Sequence, residues 1–374
     1  MKLLVNIARV IAGILFIFSG LVKANDPLGL SFKMQEFFEV WGRNSSLTSA
    51  MNWVAGYALS FSIIMIALEI IVGVGILLGG WKKFFSWLLL ILIIFFTFLT
   101  GYAVLSGKIA TCGCFGDCIP LTAMQSFIKD IILLALILII FFGRKYIVPF
   151  LTPAFNFLIL LISCLLVLGF QWYVMRHLPA VDCLPFKIGN NILELRKMPA
   201  NAVPDKKEYA FIYKKDGNEQ EFNIKNLPDS SWEFVSREDV IIEKGGNNEP
   251  LIKDFYLNSL SGNDSTEAML NIDTEYYLFF VKDISGTQDN WLGNFTKLYE
   301  FAKAKTRAIY IVSPQADKAN DFFNGRNNYG LLIFSLDATA FKTAARTNPS
   351  LYLMHGPLVT DKWGWADFED ALKK

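Results

Sequence analysis

Long, nearly uninterrupted apolar runs fill the first half of the chain, and short alternations of apolar and polar residues replace them in the second. Five runs reach the roughly 20 residues that a helix needs to cross a bilayer: about Leu4–Leu21, Ala55–Leu78, Phe85–Leu105, Ala123–Phe142 and Thr152–Val174. Between the first two, GLSFKMQEFFEVWG places Phe32, Met34, Phe37, Phe38 and Trp41 near one face of a helix. Such a helix either lies on the membrane surface or caps the bundle. From Pro179 the texture changes: KEYAFIYKKDGNEQEFNI carries two β-rich runs around Asp216-Gly217, a hairpin signal, and WEFVSREDVIIEKGG ends at Gly245-Gly246. Beyond it strand and helix patterns alternate (YYLFFVKDI, NWLGNFTKLYEFAKA, RAIYIVS, QADKANDFFN, LLIFSLD, ATAFKTAA), then SLYLMHG, PLVTDKW and a last helix, which predicts an α/β layer with a central sheet. The expected division is four membrane helices over 1–145, a fifth over 146–178, a small β-rich neck over 179–248 and an α/β domain over 249–374.

Composition supports a membrane class. Of 374 residues, 53% are hydrophobic and only 18% charged, against roughly 25% charged in soluble domains. The charges are sparse up to Arg176 and dense from Lys187 onward, so two environments share one chain. With 35 basic and 34 acidic residues there is no basic face for nucleic acid, which is excluded as a partner; membrane lipid is the first expected one. Lys2 before an apolar core imitates a secretory signal, but Arg9 and the four later spans argue for a retained helix. Lys82-Lys83 and Arg144-Lys145 make the two shortest connections basic and hence cytoplasmic. The amino terminus is then cytoplasmic in the cell inner membrane. Residues 23–54, the loop 106–122 and everything after Arg176 fall on the outer, periplasmic side, although Lys23, Lys33 and Arg43 weaken the contrast.

The densest chemical signal is the loop after the third span, where Cys112, Cys114 and Cys118 lie within seven residues and Gly113 and Gly116 let the backbone bend tightly. In an oxidising compartment this spacing suggests a disulfide that forms and exchanges. Cys112 with Cys118 or Cys114 with Cys118 are the easier pairs, and Cys183, just after the fifth span, makes a fourth outer cysteine and three complete pairings. A permanent staple is the bland alternative. Metal is the weakest reading, since a site usually wants four ligands in two spaced pairs and no histidine is near. Cys164, within the fifth span, reads as a packing residue. Glu69 near the centre of the second span, and Asp130 with Lys129 entering the fourth, are expected as a proton relay or as buried polar contacts, with Arg9 as a possible counter-charge to Glu69. His177 and His355, the only histidines, stand too far apart to suggest a metal pair or dyad.

On these residues the first four spans, with FSGLVKANDPLG, Glu69 and CGCFGDC followed by PLT, resemble the DoxX/MauE group of redox-associated membrane proteins over about residues 1–145. The resemblance implies a setting of quinone-linked oxidation or of disulfide formation in exported proteins. The carboxyl-terminal part is similar to the thioredoxin-like fold of the redoxin type: PLIKDFYLNSLSG resembles its first hairpin, and Pro349 in Thr347-Asn348-Pro349 falls where that family carries a cis-proline. Its redox cysteines should follow YYLFFVKDI, yet Ser285 to Trp291 hold none and no cysteine occurs after Cys183. A thiol reaction cannot run in that domain without a thiol.

The expectation is therefore a membrane thiol-redox or disulfide-relay protein using Cys112, Cys114 and Cys118, with Cys183 as a further partner, an extracytoplasmic client docked by the degenerate domain, and quinone as a possible acceptor. The rival is a non-enzymatic assembly factor with a structural disulfide and a client-binding domain. A transporter is disfavoured because the spans are uniformly apolar apart from Glu69 and Asp130.

Overall fold

The structure, a computed structural model, describes residues 1–43, 48–107, 109, 113, 115–204, 206–215, 218–243, 245–282, 284 and 288–374. Among the described residues five helices are long and apolar enough to cross a membrane: α1 (Lys2–Ala24), α4 (Ala58–Leu78), α5 (Lys82–Ser106), α6 (Ala123–Phe142) and α7 (Pro153–His177). Between α1 and α4 stand α2 (Pro27–Gly42) and α3 (Thr48–Ala55). Helices α1, α4, α5 and α6 enclose a core that includes Val5, Phe16, Ile76, Leu89 and Ile137, and α7 packs against α4 and adds Leu160 to it. Small residues set the closest approach, as is usual for helices in lipid. A Cβ on Gly73 would lie 2.9 Å from the Gly13 carbonyl oxygen, and one on Gly20 would meet Ile70. Asp26 caps α2, its Oδ1 accepting from Gly29 N–H at 2.9 Å. Phe37 of α2 is buried beside Ala103, and Trp41 meets Tyr102 edge-on, so this amphipathic helix packs on the bundle.

At one end of the bundle Lys82 donates to the Ile147 carbonyl at 2.9 Å, joining the two basic connections. At the other end the α1–α2 connection, the α5–α6 loop and the chain leaving α7 come together.

Past α7 the chain forms a short helix, α8 (Ile192–Leu195), then a three-stranded antiparallel sheet of order β2-β1-β3 from β1 (Lys206–Lys215), β2 (Asn218–Asn223) and β3 (Glu233–Glu243). The expected Asp216-Gly217 turn lies outside the described residues; the register on either side of it pairs Lys215 with Asn218. A six-stranded sheet follows, in the order β4-β7-β6-β5-β8-β9, from β4 (Asn258–Ser259), β5 (Glu275–Phe280), β6 (Ala308–Ser313), β7 (Leu332–Ser335), β8 (Ser350–His355) and β9 (Leu358–Gly364). β5, β6 and β7 are parallel and the other pairings antiparallel. Alternation along β5 sends Tyr276, Leu278 and Phe280 to one core and Tyr277 and Phe279 to another, which is why this central strand is apolar throughout. The second core is closed by α10 (Gln288–Ala304) and α13 (Phe368–Ala371), with α11 (Ala316–Asn320) at its edge; the first is closed by α9 (Thr266–Leu270), α12 (Ala338–Ala344), Phe186 and Ile192. The Asn348–Pro349 peptide, between α12 and β8, is cis.

The sheet domain sits directly on the bundle. Gly364 of β9 comes so close to α7 that a Cβ there would lie 2.2 Å from the Arg176 carbonyl oxygen. The Arg176 guanidinium stands 4.0 Å from the Trp172 ring centroid and 5.0 Å from that of Trp365, and His177 Nδ1 lies 2.6 Å from Asp367 Oδ1.

Candidate functional site: the cysteine loop and the charged cluster beneath it

The three faces that meet at this end of the bundle are joined covalently and by ion pairs. Cys118 of the α5–α6 loop forms a disulfide with Cys183, with the two Cα atoms 4.9 Å apart. Of the pairings left open by the sequence, Cys118 therefore takes Cys183 rather than the nearer Cys112 or Cys114. Two membrane helices, α6 and α7, separate the cysteines, and an even number of crossings returns the chain to the same surface, where local spacing no longer decides the partner. Cys112 and Cys114 lie outside the described residues, and Cys164 is a free, half-buried thiol within α7. The segment leading to Cys183 is pinned on both sides. Val181 N–H donates to Asn25 Oδ1 at 2.9 Å while Asn25 Nδ2 donates to the Val181 carbonyl at 2.8 Å, and Asp182 accepts from Lys362 Nζ at 2.7 Å. Burial pulls the Lys362 pKa down, but Tyr352 and Asp182 outweigh it and hold it above the ordinary lysine value.

Arg346, immediately after α12, reaches into the same junction. Its Nε donates to Asp26 Oδ2 at 2.6 Å and its Nη2 to Asp117 Oδ2 at 2.5 Å. The guanidinium also caps α12 through the Lys342 carbonyl and stands 5.6 Å from the Phe32 ring centroid. Burial opposes its charge, yet Asp26 and Asp117 together hold its pKa above the ordinary arginine value. One buried cation is thus shared by an α2 cap and the residue beside Cys118.

Beneath the loop, inside the bundle, lies a second group of charges. Lys23 Nζ donates to both oxygens of Glu69, at 2.7 and 3.0 Å, with both side chains about 5% exposed or less. The counter-charge of Glu69 is therefore Lys23 and not Arg9, which lies 5.1 Å from the Phe150 ring centroid near the basic end of the bundle. Asp130 Oδ2 accepts from the Thr100 hydroxyl at 3.1 Å, and Asp130 Oδ1 lies 2.8 Å from Lys129 Nζ. Phe115 of the CGCFGDC loop packs down on this group, its ring centroid 5.1 Å from Lys129 Nζ and 5.8 Å from that of Phe18. A cavity of about 20 Å³ separates Lys23 and Glu69 from Lys129 and Asp130. A second, of about 40 Å³, lies between Lys23, Thr100 and Gly113. A water needs roughly 10–15 Å³ measured this way, so these spaces suit single waters bridging carboxylates. A quinone ring does not fit in them.

A larger space opens outward. Between α2 and α12 runs a groove of about 460 Å³ lined by Phe32, Lys33, Glu36, Lys342 and Arg346, with Cys183 and Pro185 in its wall. Cys118 and Cys183 together border a further cavity of only about 10 Å³ beside Val22, Asn25 and Asp26. His355 ends β8, away from His177 and its Asp367 partner. Among the described residues no group of three or more His, Cys, Asp or Glu is placed to hold a metal ion.

Sequence reasoning did not single out Lys23, Asp117 or Arg346. For Lys23 a signal existed: a lysine at the outer end of a span runs against the charge bias of the connections. For Arg346 none did, because its partners lie 229 and 320 residues away.

Residues 1–143 match the family model described as methylamine utilisation protein MauE, and residues 207–244 match a domain of unknown function (DUF8463). The chain is 38% identical over 85 residues to Protein TlpB of Flavobacterium psychrophilum, a match covering 22% of this chain and 23% of that relative. No solved structure matches. The chain is a multi-pass membrane protein whose first 143 residues are MauE-like.

Proposed function

We propose that the protein is a membrane thiol-disulfide oxidoreductase acting at the extracytoplasmic face, with Cys118 and Cys183 as one redox pair and Cys112 and Cys114 as the thiols that complete the relay. The single observation carrying this reading is that the Cys118–Cys183 bond stands at an accessible junction directly above a buried acid–base group, Lys23–Glu69 and Lys129–Asp130. Charged side chains inside a span are costly and tend to mark pathways for protons or substrates. Exchange between dithiol and disulfide releases or consumes protons as thiols ionise, and carboxylates separated by water-sized cavities are suited to carry them. The carboxyl-terminal sheet, read as a thioredoxin-like domain with Pro349 as its cis-proline, serves as a docking platform, since it has no cysteine of its own. Quinone is not assigned a site. The division at residues 145, 178 and 248 and the periplasmic placement of everything after α7 belong to this reading, supported by the basic connections at Lys82-Lys83 and Arg144-Lys145.

A second reading rests on the Arg346 clamp. Two ion pairs and a disulfide fixing one domain on another also describe a rigid scaffold whose bond never turns over. The full-length protein in detergent, equilibrated with glutathione buffers and trapped with a thiol reagent, separates the two. A Cys118–Cys183 bond that titrates at roughly −200 to −120 mV supports exchange, and one that resists reduction to below about −300 mV marks a staple.

A further inference from the structure

The two cysteines of the cross-link, both half-buried, differ in which space they line. Both border the cavity of about 10 Å³, but Cys183 and not Cys118 also stands in the wall of the groove of about 460 Å³ between α2 and α12. Sites that bury a ligand usually measure roughly 300–1,000 Å³, so the groove alone is large enough to admit a partner to the bond. The lining narrows what that partner is. Lys33 is paired with Glu36, Lys342 donates to Gln35, and Arg346 is neutralised by Asp26 and Asp117. Gln35 is neutral and leaves Lys342 charged, but the four carboxylates Glu36, Glu39, Asp117 and Asp26 outnumber the three cations Lys33, Lys342 and Arg346, so no positive field is left to select a free anion. Phe32, Pro120, Pro185 and Leu251 add apolar surface between these polar pairs. A mixed lining of this kind suits a polypeptide segment, and the disulfide in its wall identifies the segment as one that bears cysteine.

We propose that the α2–α12 groove docks an extended, cysteine-bearing segment of an exported protein and presents its thiolate to Cys183. This rests on the thiol-exchange reading above. The thiolate sulfur attacks Cys183 Sγ; a bond forms between them as the Cys118–Cys183 bond breaks, and the bonding pair leaves with Cys118 Sγ, which takes up a proton. A second thiolate of the client then attacks the client sulfur of the mixed disulfide and releases Cys183. The client dithiol has lost two electrons and two protons to become a disulfide, and Cys118 and Cys183 have gained them.

The test uses the full-length oxidised protein in detergent with two reductants, dithiothreitol and an unstructured synthetic peptide carrying two cysteines. It compares the unaltered chain with Thr339→Trp and Leu251→Trp, which narrow the groove at two lining residues outside the redox pair. The expected result is a peptide rate lowered by at least about tenfold in one or both variants while the dithiothreitol rate stays within about twofold, with a single-cysteine peptide trapped on Cys183 by mass mapping. Peptide rates unchanged in both variants, or an adduct on Cys118, overturn the groove assignment and leave the redox reading standing. A bond that neither reductant opens until the protein is denatured overturns the redox reading itself.

Discussion

Arg346 donates to Asp117 at 2.5 Å, and Asp117 directly precedes Cys118, so the end of α12 is tied to the loop that carries the disulfide. The same guanidinium holds Asp26 at the start of α2. Replacing it leaves two carboxylates without their shared cation; removing one partner of a fully buried ion pair costs about 3–5 kcal/mol, and Asp117, 42% exposed, lowers that here. Arg346→Met is expected to loosen the sheet domain from the bundle, seen as faster proteolysis after α7 in the otherwise intact protein. Arg346→Lys, which cannot make both bonds in the same fork, should fall between.

The Lys23–Glu69 pair offers a way to separate packing from chemistry. Lys23→Met alone leaves the Glu69 carboxylate buried and unpaired and is expected to lower stability in detergent by about 3–5 kcal/mol, whereas Lys23→Met with Glu69→Leu should regain most of that loss. If the pair carries protons, the double variant is folded yet reoxidises its thiols more slowly in membrane vesicles. An unchanged reoxidation rate in that variant would reduce the pair to a helix lock.

Removing the cross-link itself has a stability consequence whether or not it turns over. The bond closes a loop with a sequence separation of 65, for which the chain-entropy account gives a loss of about 4.3 kcal/mol on its removal. Cys183→Ser should therefore lower the unfolding midpoint of the purified protein and leave Cys118 open to alkylation under native conditions.

Alkaline pH addresses the strut beside Cys183. Because the folded pKa of Lys362 is raised, its stabilising pair with Asp182 is fully present below the ordinary lysine value of 10.5 and is lost as pH rises through the higher folded value. Unfolding midpoints measured across that range should fall for the native chain and fall less for Lys362→Met.

Orientation is checked by fusion. Alkaline phosphatase, active only outside the cytoplasm, should be active when joined after residue 120 and inactive when joined after residue 145, as the basic connections require.

What was legible in the sequence follows from the range of each interaction. The five membrane helices show as apolar runs because the bilayer requires length in one continuous segment, and strand–helix alternation showed the layered sheet for a similar local reason. Glu69 announced itself by its cost. Its partner did not: the first run ends in sequence at Leu21, and only the close contact of α1 with α4 at Gly13, Gly20 and Gly73 carries Lys23 across to it. The disulfide partner stayed open on the same ground, since crowding of Cys112, Cys114 and Cys118 is visible locally while the return of Cys183 to the level of Cys118 depends on two intervening spans. The groove depends on Arg346 docking one domain on another and has no sequence signature.

The cross-link also orders the protein's own biogenesis. Cys118 is synthesised and exposed before α6 and α7 exist, while its mate follows them both. A chain stalled after α5 has only Cys112 and Cys114 within reach, and a bond made there must be undone before the final one can close. Arrival of the Cys118–Cys183 bond therefore follows the synthesis of the last two helices, and its delay in a pulse-labelled culture sets an upper limit on the time their insertion takes.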